Sequence, residues 1–196
     1  MDTRLSQQID FIMEMDRLKA VLRQNKTPSA QRRENTAEHS WHLAIMGLVL
    51  EDQSPTPIDR AKVLCMLLLH DVVEIDAGDT FAYDDPGHSD KAEREKQAAD
   101  RLFGLLPKDQ NNELRSIWDE FELGKTAEAR LARALDRLQP ILMNHRSGAI
   151  SSWAEHGISR DQVLSRNREV EALSPALWAL LNRCCNEAVA DGFLKA

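Results

Sequence analysis

Apolar residues recur every three or four positions along most of the chain, which is the spacing of one face of an α-helix. Proline and glycine separate these periodic stretches. The pattern predicts helices over about 4–24, 36–52, 59–74, 90–106, 108–124, 126–147, 159–173 and 175–192. We therefore expect an all-α fold, a helical bundle of about seven to nine helices.

Helix-capping residues support several of these boundaries. Asn35 with Glu38 three residues later is close to a capping box, and Thr126 precedes a long apolar stripe. Ser174 followed by Pro175 gives an N-cap and a first-turn proline for the last helix. The helix ends predicted from periodicity and those predicted from capping therefore agree.

Length and charge limit the classes of function. With 196 residues, 42% of them hydrophobic, the chain is long enough for one sizeable core, so we expect a single domain over 1–196. The 32 acidic and 25 basic residues give a net charge of −7, which argues against a partner that is a nucleic acid polymer or a membrane surface. A small anionic substrate remains compatible with this charge if an arginine lies at the site.

The three cysteines indicate a cellular compartment. Cys65, Cys184 and Cys185 form neither a disulfide framework nor a CxxC motif, which is typical of a reducing environment. The first ten residues lack the apolar core of a secretion signal, and no apolar run approaches the length of ~18 residues that a membrane span requires. We therefore expect a cytoplasmic protein without a membrane segment.

The segment 63–79, VLCMLLLHDVVEIDAGD, begins as an apolar helix and then gathers His70, Asp71, Glu74, Asp76 and Asp79. Burying an unpaired carboxylate costs on the order of several kcal/mol, so acids at the inner end of a core helix require a counter-charge. A cation is the simplest one, and imidazole with carboxylate is the ligand set of divalent Zn, Mn, Fe or Co. The segment is therefore a candidate metal site, although His-Asp pairs are common and an acid at the end of a helix can be merely solvated.

Two other residues carry metal-binding groups into apolar surroundings. His39 falls in the first turn of the helix predicted from residue 36, and Asp136 lies within the apolar stripe of the 126–147 helix. Pro140 has no N–H for the carbonyl of Asp136, so we expect that helix to loosen there. Taken alone, each residue would be a surface group, and only nearby partners would make it a ligand.

Basic residues cluster after the first helix, where Pro28 and a polar run predict a loop. Arg23, at the end of the predicted helix, is the strongest choice for a phosphate contact. Lys26 and Arg32 would either contact a phosphate or be solvated.

A second predicted loop, after Gly78, holds two aromatic residues. Phe81 and Tyr83 could stack on a base or pin the loop to the body of the protein.

The order His39, His70-Asp71, Asp136 in an all-helical chain resembles the HD-domain superfamily of metal-dependent phosphohydrolases. The segments RRENTAEHSWH, HDVVEIDAGDTFAYD and ARLARALDRLQP are similar to those of the branch that contains the 5′-deoxynucleotidases. The likeness covers roughly residues 10–145 of one HD domain, and the helices over 159–192 are expected to pack on the same unit.

The resemblance implies a role for each matching residue. His39, His70, Asp71 and Asp136 would hold one divalent ion, of which Mn, Co, Fe, Zn and Mg are all candidates. Glu74 would orient or deprotonate the attacking water, Asp79 would lie near that water and the sugar hydroxyl, and Arg23 would hold the phosphate. The implied activity is the hydrolysis of nucleoside 5′-monophosphates, deoxy or ribo, to nucleoside and phosphate.

The sequence leaves some alternatives open. The loop before His39 is longer and more polar than in the family, and no tryptophan follows Arg23, so the sugar preference is undecided. The substrate could be another small phosphate or nucleotide. The alternative outside the enzymes is a non-catalytic binding module that keeps the metal only to stabilise its structure.

Trp178 and Leu181, expected to be exposed on the last helix, would suit a helix-mediated homodimer. The roles of three further histidines are open: His42, His145 and His156.

Overall fold

The computed structural model describes residues 2–84 and 86–196 and confirms the all-α fold class. In this part of the chain eleven α-helices accompany one two-stranded sheet. The helices are α1 (Thr3–Met15), α2 (Thr36–Val49), α3 (Arg60–Leu69), α4 (Glu74–Ala77), α5 (Lys91–Phe103), α6 (Lys108–Leu123), α7 (Ala127–Ser147), α8 (Ser152–His156), α9 (Arg160–Arg166), α10 (Arg168–Leu173) and α11 (Pro175–Ala190). Four 3-10 segments lie between them, at Asp16–Ala20, Glu51–Gln53, Pro86–His88 and Gly148–Ile150.

Short segments explain why the described chain has more helices than the seven to nine expected. A turn at 70–73 separates α4 from α3, and the predicted helix over 159–173 divides at Asn167 into α9 and α10. The five-residue helix α8 lies between the helices predicted over 126–147 and 159–173, where no helix was predicted. These short breaks, four residues at 70–73 and one at Asn167, divide predicted helices without altering the architecture.

The first helix is shorter than its periodicity predicts, and the loop expected after it is partly a β-hairpin. Helix α1 ends at Met15, and strand β1 (Leu22–Lys26) pairs antiparallel with strand β2 (Arg33–Asn35). The connection is closed by hydrogen bonds from Thr27 N to Arg32 O and from Gln31 N to Thr27 O, both 2.8 Å long. Arg23 therefore lies on a strand, and its predicted position at a helix end was wrong.

The predicted helix caps agree with the structure. The Asn35 side chain accepts a hydrogen bond from the backbone N–H of Glu38, and Thr126 accepts one from Ala129. Ser174 caps α11 at the N–H of Leu177. Helix α7 continues through Pro140 to Ser147, so the proline does not end it.

Helix α7 lies at the centre of the larger core. Its buried residues Leu131, Leu135 and Leu138 pack in one cluster with side chains of α2, α3, α10 and α11. A second cluster joins residues of α1, α4, α5 and α6, among them Phe11, Leu102 and Trp118. Since α2, α3 and α7 all contact one another, polar groups on their facing sides are brought together inside the protein.

The last helix does not present the apolar surface that was expected of it. Leu181 is fully buried, and Trp178 is partly buried against the core. Helix α11 packs on α7, α9 and α10, so its apolar stripe is used within the chain. The expectation that these two residues are exposed was wrong, and a homodimer loses that support.

Within the described residues, no helix has both the length and the apolar character to cross a membrane.

Candidate active site

Three helices bring the predicted metal ligands to one place. His39 lies in the first turn of α2, His70 ends α3 with Asp71 beside it, and Asp136 lies midway along α7. His39 and His70 are buried, while the side chains of Asp71 and Asp136 are 17% and 23% exposed. The structure thus brings together all four side chains that the sequence singled out.

The distances between these groups are those of a shared ion site. His39 Nε2 lies 3.1 Å from Asp136 Oδ1 and 3.7 Å from Asp71 Oδ2. His70 Nε2 lies 3.1 Å from Asp71 Oδ2 and 3.6 Å from Asp136 Oδ1. An ion with bonds of about 2.1 Å places neighbouring ligand atoms roughly 3.0 to 3.4 Å apart. His39, His70 and Asp136 each offer a donor atom within 4.8 Å of the other two, so these three can share one divalent ion. Asp71 Oδ2 lies beside them, 3.1 Å from His70 Nε2, and is also paired with Arg23.

Hydrogen bonds orient the His70 side chain so that its Nε2 atom is available for coordination. Its Nδ1–H donates a hydrogen bond to Leu67 O at 3.0 Å, which leaves the Nε2 lone pair facing the carboxylates. Trp118 Nε1 fixes the same residue by donating to His70 O at 3.0 Å. Within the described chain the buried Nε2 atom lies 3.1 Å from Asp71 Oδ2 but forms no hydrogen bond of good geometry. A buried polar atom without a partner is expensive unless it binds a ligand, so this geometry fits a metal.

Arg23, Glu74 and Asp79 surround the open side of the cluster. Arg23 Nη1 lies 2.6 Å from Asp71 Oδ2, 3.8 Å from Glu74 Oε1 and 3.7 Å from Asp79 Oδ1. Gly78, with φ of 74°, adopts the left-handed backbone that lets the chain leave α4. The three residues that the sequence assigned to catalysis and substrate binding thus lie together beside the ligand cluster.

The carboxylates make the site strongly attractive to positive charge. Burial opposes protonation of the His70 imidazole, but Asp71 and Asp136 outweigh it and raise the pKa of His70 to about 10. Burial would raise the pKa of Asp71, yet the charges of His70 and Arg23 hold it below its usual range. A field that binds a proton this firmly also favours a dication in the same place.

Glu74 differs from the ligand carboxylates because its pKa shifts upward. Burial and then the negative charge of Asp71 raise the pKa of Glu74 well above its ordinary value. Thr36 Oγ1 donates a hydrogen bond to Glu74 Oε2 at 2.8 Å and fixes the carboxyl group. Burial also raises the pKa of Asp79. A raised pKa is what a group that takes up a proton near neutral pH requires.

A buried polar chain behind His39 was missed by the sequence analysis. Glu34 Oε2 lies 3.7 Å from His39 Nδ1, and Glu34 Oε1 accepts a hydrogen bond from Gln139 Nε2 at 2.9 Å. The Gln139 amide also lies 3.2 Å from His42 Nδ1. Burial opposes ionisation of Glu34, but His39 and the other partners lower its pKa. Glu34 is therefore a buried carboxylate facing the outer nitrogen of a ligand histidine, and His42 lies at the far end of the same chain.

A cavity of about 210 Å³ opens beside the cluster. One face of α7 lines it through Arg133, Asp136, Arg137, Ile141 and Asn144, which recur at helical spacing. The loop after α4 adds Phe81 and Tyr83, whose ring centroids lie 5.4 Å apart. The space has an acidic metal-binding end and an aromatic and basic wall, which matches a ligand with a phosphate and a ring.

Four other residues noted in the sequence, Lys26, Arg32, His145 and His156, do not line the cavity. Lys26 pairs with Glu155 at 3.0 Å and Arg32 with Glu38 at 2.9 Å. His145 lies 2.8 Å from Glu187. His156 packs against Phe81 with ring centroids 4.5 Å apart. Lys26 and Arg32 therefore make surface ion pairs rather than lining the cavity.

The fold and the site define an all-α protein whose buried histidines and aspartates fit a divalent ion. Residues 15–178 match the model of the HD domain family. The chain belongs to this family.

Relatives agree with that assignment. A crystal structure from Magnetospirillum magnetotacticum MS-1, described as a predicted metal-dependent phosphohydrolase, is 46% identical, covers 100% of both chains and has a TM-score of 0.91. The bovine protein named 5′-deoxynucleotidase HDDC2 is 32% identical over 114 residues, which are 58% of this chain and 54% of that protein. The human protein of that name is 28% identical over 132 residues, 64% of this chain and 63% of the human one. The match thus spans little more than half the length of these curated relatives.

Proposed function

We propose that this protein is a metal-dependent phosphomonoesterase that hydrolyses nucleoside 5′-monophosphates, with deoxynucleotides as the preferred class. The observation that carries the proposal is the buried group of His39, His70, Asp71 and Asp136, which lies at the end of a cavity with Glu74 beside it. The relatives named 5′-deoxynucleotidase support the substrate class.

The four clustered side chains are assigned as the ligands of one divalent ion. Two imidazoles and two carboxylates accept Mn, Co, Fe, Zn or Mg, and availability decides among them. A dication in this place would neutralise charge on the phosphoryl oxygens and make water more acidic. Two carboxylates balance its charge, so a phosphate can approach.

The residues around the proposed ligands are assigned separate roles in proton transfer and substrate binding. Glu74, held by Thr36 and raised in pKa, takes the proton of the attacking water. Arg23 donates to the phosphate from its position against Asp71, and Asp79 contacts the water and the sugar hydroxyl. Phe81 and Tyr83 lie on the cavity wall where a base could pack.

The presence of Glu74 and Asp79 also bears on the alternative, a non-catalytic binding module in which the metal only stabilises the fold. Such a module needs only the four ligands, whereas burying Glu74 and Asp79 as well raises the electrostatic cost of the site. That cost is explained if the two groups act on substrate. The geometry therefore favours an enzyme over a non-catalytic module with a structural metal.

We further propose one HD domain over residues 1–196, a cytoplasmic location and a single dication per chain. The larger core supports the first, since it contains residues from Leu43 to Leu194. The three free cysteines support the second. A homodimer stays a prediction without the exposed residues on α11 that suggested it.

The test is a phosphate-release screen. Protein stripped of metal is given Mn²⁺, Co²⁺, Mg²⁺ or Zn²⁺ and offered ribo- and deoxynucleoside 5′-monophosphates, with a nucleoside triphosphate and a non-nucleotide phosphomonoester for comparison. We expect metal-dependent release from the monophosphates, fastest with deoxyribose. Release only from the triphosphate or the simple ester would assign another substrate, and no release from any compound would contradict the proposal.

A further inference from the structure

Arg137 lies on the cavity wall and is not engaged in a hydrogen bond or ion pair among the described residues, although Arg133 and then the charge of Arg137 lower the pKa of Glu169. It follows the ligand Asp136 on α7, half-buried, and its side chain lines the cavity. Burial raises the pKa of Tyr83, another cavity residue, to about 12, and the positive charge of Arg137 acts against that rise. Its charge is therefore felt inside the cavity.

The other basic residues of the cavity are already paired. Each has a close polar neighbour: Arg23 has Asp71 at 2.6 Å, Lys91 has Glu95 at 2.8 Å, Arg133 has Glu169 at 2.8 Å and Arg166 has His88 at 3.5 Å. Among the described residues, Arg137 alone of the arginines and lysines lining the cavity forms no hydrogen bond or ion pair. A half-buried guanidinium without a partner is poorly compensated, so this position calls for an anion.

The net charge of the groups around the proposed metal site also favours a further cation where a phosphate binds. Asp71, Glu74, Asp79 and Asp136 outnumber the charges of Arg23 and a dication by one. A phosphate monoester adds ~1.5 to 2 negative charges near neutral pH. When Glu74 and Asp79 are ionised, a further cation would therefore strengthen phosphate binding at this end of the cavity, and Arg137 lies on the helical turn that carries Asp136.

We propose that Arg137 binds the phosphate of the substrate, acting together with Arg23, which lines the same cavity. This inference rests on the proposed function, because it takes the ligand of the cavity to be a phosphate. A guanidinium can donate two parallel hydrogen bonds to phosphate oxygens, which makes the contact stronger and more oriented than that of a lysine. Because the contact is to phosphate, it is independent of the base.

The experiment measures phosphate binding apart from turnover. Titration calorimetry with inorganic phosphate is performed on the Mn²⁺-loaded wild type and on the variants Arg137→Gln, Arg137→Lys and Arg146→Gln. Arg146 is the matched control, since it is exposed on the same helix and does not line the cavity. We expect Arg137→Gln to weaken phosphate binding roughly tenfold or more, Arg137→Lys to restore part of it, and Arg146→Gln to leave it unchanged.

Kinetics and stability complete the test. If a nucleoside monophosphate is hydrolysed, Arg137→Gln should raise KM by a similar factor for every base. Its thermal midpoint should stay close to that of the wild type, because within the described residues Arg137 makes no hydrogen bond or ion pair and acts on Glu169 only through its charge. Phosphate binding equal to wild type in Arg137→Gln, or no binding by the Mn²⁺-loaded wild type, would overturn the inference. A wild type that binds phosphate through Arg137 yet hydrolyses no nucleotide would contradict the proposed function and support this assignment.

Discussion

Glu34 is expected to set the affinity of the metal site without touching the ion, and the substitution Glu34→Gln tests this. The change keeps the shape of a side chain that is 2% exposed and removes its negative charge. Gln139 can still donate to the remaining carbonyl oxygen, as it now does to Glu34 Oε1 at 2.9 Å. The main change in Glu34→Gln is therefore the loss of the negative charge that faces His39.

The magnitude follows from the geometry. Outer partners of ligating histidines change metal affinity by about 10- to 100-fold when removed, which is about 1.4 to 2.8 kcal/mol. Glu34 Oε2 lies 3.7 Å from His39 Nδ1, which is too long for a strong hydrogen bond. The interaction is then mainly one between charge and imidazole, so we expect the lower end of that range, a loss of about tenfold in Mn²⁺ affinity.

The assay is competition between the stripped protein and a fluorescent chelator, with Mn²⁺ as the shared ion. Glu113→Gln serves as the control, because that residue is exposed on α6 and the substitution changes net charge equally. We expect the control to bind Mn²⁺ like the wild type. An unchanged Mn²⁺ dissociation constant in Glu34→Gln would refute the reasoning, whatever the effect on phosphate release.

The remaining predictions concern the residues closest to the ion. Asp136→Ala should lose the metal and, with it, the thermal stabilisation that the ion gives the wild type, and a variant with full metal content would remove Asp136 from the ligand set. Glu74→Gln should keep the metal and lower kcat by about 10² to 10⁴, as measured by phosphate release, and near-normal turnover would show that another group takes the proton. Arg23→Ala should raise KM for a nucleoside monophosphate more than it lowers kcat, and an unchanged KM would place the phosphate elsewhere.

The clustering of His39, His70, Asp71 and Asp136 could be predicted because His39 and Asp136 lie on strongly periodic helices and His70-Asp71 directly follows another. His39 and Asp136 each occupy an apolar face of a helix, and His70 ends a helix that is apolar almost throughout. Helical periodicity fixes which side chains point inward, and polar groups pointing inward need a ligand. The resemblance to the HD-domain superfamily then gave the set its order along the chain.

The hairpin that carries Arg23 could not be predicted in the same way. Leu18, Val21 and Leu22 continue the helical spacing of α1, but the chain leaves the helix because Leu22–Lys26 pairs with Arg33–Asn35. That pairing is non-local and leaves no periodic signal in either segment. The strand, rather than a helix end, places Arg23 against Asp71.

Glu34 and Gln139 show a different limit on what the sequence reveals, because their contact lies between distant segments of the chain. Gln139 stands within an apolar stripe and is fully buried, so its position was a usable signal of a buried polar contact. Glu34 precedes the cap of α2 and carries no such signal, since an acid before a helix is ordinarily exposed. Burial of Trp178 and Leu181 was missed because α11 packs on several helices, and a sequence does not show how many neighbours a helix has.

The most direct test of the central claim is a titration of Mn²⁺ into metal-free protein that follows bound ion and phosphate release from a deoxynucleoside 5′-monophosphate in the same samples. We expect release to rise with bound ion and to level off at one ion per chain. Release that is independent of the ion, or one tightly bound ion per chain with no release from any nucleoside monophosphate, would contradict the claim that the four clustered side chains hold a catalytic dication.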